Sequence, residues 1–135
     1  GEPASAWRAD DWRELDEYLY GCDLYNHAYW WEAHEAWEAL WRAAPLESIE
    51  RHYLQGLIQI SAAQLKLFVG DVRGVERLMV SSAGHLACVP DEFMGLAVRE
   101  FKESAQAYLL ARLALRPPSH DAHAYPYICL SNPAS

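Results

Sequence analysis

Residues 52–68, HYLQGLIQISAAQLKLF, read as a helix that is apolar on nearly every side. Such a helix cannot lie on a surface; it needs neighbours around most of its circumference. No segment alternates apolar and polar residues with period two, so no sheet is expected to supply them. The neighbours must be other helices. Asp10 or Asp11 can cap a first helix that ends at Gly21, and Asn26 can cap a second that stops before Pro45. The third spans about Leu46 to Val69, with Gly70 as its stop. Asp71 caps a fourth that ends near Pro90, and Asp91 starts a fifth that ends before Pro117-Pro118. The sequence therefore predicts an all-α, antiparallel bundle of about five helices in one domain. Its core covers about residues 10–116, and the Pro-rich tail 117–135 docks on it irregularly. No internal repeat has room for the three units an array needs.

The 135 residues carry a formal net charge of −8, and Lys66 and Lys102 are the only lysines. Such a surface repels phosphate backbones, so nucleic acid is not an expected partner. No apolar run approaches the roughly 18 residues of a membrane span. Cys22, Cys88 and Cys129 are odd in number and form no CxxC pair, which points to a reducing, cytoplasmic setting. The expected partner is a small molecule or a protein, a second copy of this chain included.

The second helix carries the chemistry. In YNHAYWWEAHEAWEALW, Tyr25 to Trp41, two histidines and three glutamates are threaded through four tryptophans. At 100° per residue, Trp30, Trp31, His34, Trp37, Glu38 and Trp41 fall within about 80° of His27. His34 and Glu38 then lie inside a stripe expected to be buried, and Glu35 lies at its edge, where a ligand could reach it. A buried carboxylate needs a partner. His34 and Arg42, each one turn from Glu38, supply one and would make the trio a self-satisfied structural network. The functional reading makes His34, Glu35 and Glu38 a candidate acid–base site.

On the third helix His52, Gln55, Gln59 and Lys66 share a narrow stripe beside Gly56, Ala62 and Ala63. Small residues let another helix approach, so Gln55 and Gln59 are placed to hydrogen-bond the polar residues of helix two, with Trp31 and Trp41 lining the same pocket. The other reading turns this stripe to water. A metal is compatible but not favoured. His34 and Glu38 would hold it, with His27 or His52 adding a ligand, yet the spacing is neither HExxH nor ExxH. HDAH at 120–123 reads as incidental, and His85 as structural. No cofactor is specified.

Three segments, YWWEAHEAWEALW, QGLIQISAA and GDVRGVERLM, in this order and spacing, resemble the bacterial and archaeal family known as domain of unknown function 309. The resemblance covers about residues 25–90. The family's aromatic pair falls on Trp30 and Trp31, its Glu-Ala-His-Glu run on Glu32 to Glu35, its next glutamate and tryptophan on Glu38 and Trp41, and its Gln-Gly-Leu-Ile-Gln run on Gln55 to Gln59. Ala28 stands where the family commonly has glycine, and Trp37 where it often has leucine. The resemblance implies a small all-helical domain and supplies no reaction. Two classes follow: a ligand-binding or hydrolase-like pocket between helices two and three, or a non-catalytic interaction module.

Overall fold

The computed structural model describes residues 7–131. A short 3-10 turn, Ala9–Glu14, leads into five α-helices: α1 Asp16–Asn26, α2 Trp30–Ala43, α3 Ile49–Phe68, α4 Val72–Leu86 and α5 Val98–Leu113. Two strands of two residues each, β1 Glu92–Phe93 and β2 Leu96–Ala97, pair antiparallel before α5. The fold is an all-α bundle with this one small hairpin.

The helix α3 is the central element. Leu54, Leu57, Ile60, Ala63, Gln64 and Leu67 are all buried on it, spread over about half of its circumference. Its neighbours run antiparallel to it. The Trp30 carbonyl, at the start of α2, accepts from Ser61 Oγ at 2.6 Å, while the Trp41 carbonyl, near its end, accepts from Arg51. Likewise His52, near the start of α3, meets His85, near the end of α4. Most buried residues form one aromatic-rich cluster. A smaller one joins Ala63 and Leu67 to Val75, Met79 and Leu109.

Local chemistry explains the boundaries. Ser48 caps α3, its Oγ accepting from the Arg51 backbone N–H at 3.1 Å, and Asp71 caps α4 as expected, accepting from Gly74 at 2.9 Å. Four expected boundaries move: Asp10 and Asp11 cap no α-helix but lie inside the 3-10 turn, and α1 starts at Asp16 after Leu15. Gly21 does not stop α1; it lies inside it, where the Trp37 side chain leaves no room for a β-carbon. Asn26 is the last residue of α1 rather than the cap of α2, and the chain turns through Ala28 in the left-handed region, φ 66°. Asp91 does not start α5. It precedes the hairpin, whose loop residues Met94 and Gly95 both have positive φ, the twist that a two-residue turn requires.

The tail docks. Asn26 clamps Ile128 with both ends of its amide, donating to the carbonyl at 2.9 Å and accepting from the N–H at 2.7 Å. Tyr125 Oη donates at the C-terminal end of α1, lying 2.9 Å from the carbonyls of both Tyr25 and Asn26. Ser131 N–H donates to the Gly95 carbonyl, joining the tail to the hairpin. No helix among the described residues is long and apolar enough to cross a membrane.

Candidate functional site

The face of α2 that meets the bundle is Trp30, Ala33, Trp37 and Leu40. It is rotated by roughly 80° from the stripe expected around His27 and His34. Trp31, expected to line a pocket, is 55% exposed, and Glu35 is exposed on the outer surface. His34 and Glu38 lie between, on the flank of the helix and half-buried. His34 Nε2 sits 2.8 Å from Glu38 Oε2, and Arg42 pairs with the other carboxylate oxygen. The Trp31 ring packs edge-on against His34, centroids 5.1 Å apart. The chain His34–Glu38–Arg42 thus consumes its own charges along one helix.

The third-helix stripe turns elsewhere. Gly56 packs directly under Leu86 of α4, where a β-carbon would lie 2.5 Å from Leu86 Cδ2. That close approach turns His52, Gln55 and Gln59 toward α4 rather than toward His34. Neither glutamine bonds His34 or Glu38, so the pocket expected between α2 and α3 is not assembled. The Gln59 Oε1 is buried without a hydrogen-bond partner. Gln64, on the opposite side of α3, does the bridging instead. Its Nε2 donates to Tyr25 Oη at 3.1 Å, and its Oε1 accepts from His120 Nε2 at 2.8 Å. His120 belongs to the HDAH run read as incidental. It packs 4.5 Å from the Trp30 ring, and burial, with Arg112 second, lowers its pKa to about 4 against an opposing pull from Asp121.

A cleft of about 240 Å³ opens where α2 ends and α3 begins, against the end of α4. Trp41, Leu46, Glu47, Arg51, His52, Gln55 and His85 line it. Arg51 sits over the Trp41 ring, its Cζ 4.0 Å from the centroid, and its Nη1 donates to the Trp41 and Ala44 carbonyls at 3.3 and 3.1 Å. The Ala44 carbonyl gains its partner this way, the Trp41 carbonyl also accepts from the Ala44 N–H, and the two bonds hold the guanidinium in one pose. His52 Nδ1 and His85 Nδ1 are 2.9 Å apart, so one ring donates to the other. Burial first, and His52 second, hold the His85 pKa below its usual value. On the rim Glu47 has φ 63°, a strained value for a residue with a side chain.

Of the expected site residues, the cleft gathers Trp41 and Gln55. It leaves out Trp31, His34, Glu35, Glu38 and Gln59. It adds Arg51, Glu47, Leu46 and His85. The pairing of His52 with His85 had a signal in the sequence. Antiparallel helices joined at Gly70 and Asp71 set the start of α3 against the end of α4, although His52 lies 18 residues before Gly70 and His85 14 after Asp71, about one helical turn apart in register.

Residues 18–78 match the model of the family described as domain of unknown function DUF309. This segment is a DUF309 domain. It covers a little under half of the 135 residues, from within α1 to the middle of α4. His34, Glu35, Glu38, Gln55 and Gln59 all lie in the DUF309 segment, and so does every cleft residue except His85. The hairpin, α5 and the tail lie beyond it. No curated protein matches the chain. Among the described residues, no group of three or more His, Cys, Asp and Glu is placed to hold a metal ion.

Proposed function

We propose that this DUF309 protein binds a small molecule in the cleft between the end of α2, the start of α3 and the end of α4. One observation carries the reading. In a single concavity an aromatic face, a guanidinium fixed upon it and a paired set of imidazoles converge from three different helices. Small-molecule sites have this character, an apolar wall with few, well-placed polar groups. At about 240 Å³ the cleft falls below the range of roughly 300–1,000 Å³ typical of drug-sized ligands. The ligand is correspondingly small.

Binding, rather than hydrolysis, is what the lining supports. None of its residues is Ser, Thr or Cys. That each member of the His34–Glu38–Arg42 chain is already paired supports reading it as a structural network. Soaking crystals with a library of small polar-aromatic fragments tests the proposal. Density is expected between Trp41 and His85. Fragments found only elsewhere on the surface would contradict it.

A further inference from the structure

We propose that the ligand of this cleft is a small carboxylate, and that the His52–His85 pair takes up one proton when it binds. The inference rests on the cleft being a binding site. The charged and titratable side chains lining it are Glu47 from the loop before α3, Arg51 and His52 from α3, and His85 from α4; α2 contributes Trp41, which does not titrate.

Arg51 specifies the carboxylate. A guanidinium presents five donors in a planar fork that matches a carboxylate edge. Nη1 is committed to two carbonyls, and Cζ sits 4.0 Å over the Trp41 ring, so the guanidinium is held at two places. No hydrogen bond among the described residues engages Nε or Nη2. A planar anion beside that edge finds a fork already oriented, so little ordering remains to oppose binding.

The imidazole pair supplies the proton. With Nδ1 atoms 2.9 Å apart, one ring carries the shared proton and the other accepts it. The donor ring then has a bare Nε2. Protonation there makes an imidazolium whose Nδ1–H still donates to its neighbour, and the bond becomes charge-assisted. A second proton would set two N–H groups against each other, so the pair holds one extra proton and no more. Without an anion, burial opposes that charge on His85. An anion inside the cleft provides the missing countercharge. Binding and protonation therefore favour each other reciprocally.

Benzoate and its neutral counterpart benzamide are the probes, titrated calorimetrically into the whole chain. Benzoate is expected to bind roughly threefold to tenfold tighter for each pH unit lowered between about pH 8 and pH 6, the upper bound being one linked proton. Its binding enthalpy is expected to differ between phosphate and Tris buffers by the amount for uptake of one proton. His85→Gln, with His52→Gln as the second variant, is expected to bind benzoate with no buffer dependence. Thermal melts check that each is folded, and the comparison of buffers on the unaltered chain stands by itself if neither folds. Equal benzoate affinity and enthalpy across pH and buffer would overturn the inference. Benzamide binding as well as benzoate would also overturn it while leaving a binding cleft. Binding of neither probe would overturn both.

Discussion

Trp37 occupies the space above Gly21 that any other residue would fill. A β-carbon on Gly21 would lie 2.5 Å from the indole Cδ1, and Trp37 is fully buried and unable to retreat. The glycine is there because two helices meet at backbone distance. Gly21→Ala is expected to lower stability by about 2–3 kcal/mol through overpacking. Chemical denaturation measures it, and a neutral outcome would mean the α1–α2 interface is looser than described.

Ala28 invites the opposite change. Its φ of 66° is unfavourable for a residue with a β-carbon and free for glycine. Ala28→Gly is expected to stabilise by roughly 0.5–1 kcal/mol, the strain relieved being partly offset by the freer unfolded chain. A fall in melting temperature would contradict the strain.

In the His34–Glu38–Arg42 chain the first two side chains are half-buried, Arg42 is exposed and all three are paired, so its members should behave structurally. His34→Ala is expected to cost about 1 kcal/mol and to leave benzoate affinity unchanged. A stability gain coupled to lost binding would place function back at His34.

His120 sets a pH limit on tail docking. Its pKa is about 4 in the folded chain against the ordinary 6.5, so the unfolded state binds more protons between those values. Stability from this residue is full above about pH 6.5 and declines as pH falls toward 4. Melting temperature followed across that window is expected to fall more in the parent than in His120→Gln. Hydrogen exchange should locate the loss in residues 120–131, which His120 and Asn26 tie to the bundle. A parallel decline in both chains would assign the acid sensitivity elsewhere.

The bundle was legible because its strongest signals are local. The Asp71 cap, the Gly70 stop and the all-round apolar character of α3 depend on neighbours in sequence. The orientation of α2 was not. Trp31, His34 and Trp41 are large and partly apolar and pull a periodicity argument toward themselves. The true centre uses Ala33, small yet fully buried, whose weight in such a pattern is slight. Gly21 read as a stop because glycine serves both helix ends and close approaches, and only a tertiary partner tells them apart. The hairpin escaped because two-residue strands carry no alternation, and its turn uses Met94 at a position normally marked by Asn or Asp. The polar stripe of α3 parts from His34 for one reason. Gly56 faces Leu86, which commits the polar stripe of α3 to α4 and makes His85 its partner.

The central claim is that the binding centre of this chain is the Trp41–His52–His85 cleft and not the His34 flank of α2. Imidazole proton resonances of the six histidines, followed by NMR during a benzoate titration, test it most directly. The account predicts that His52 and His85 shift together and saturate at one concentration, while His34, His27, His120 and His123 stay where they are. Saturating movement of His34 with His52 and His85 unmoved would contradict it.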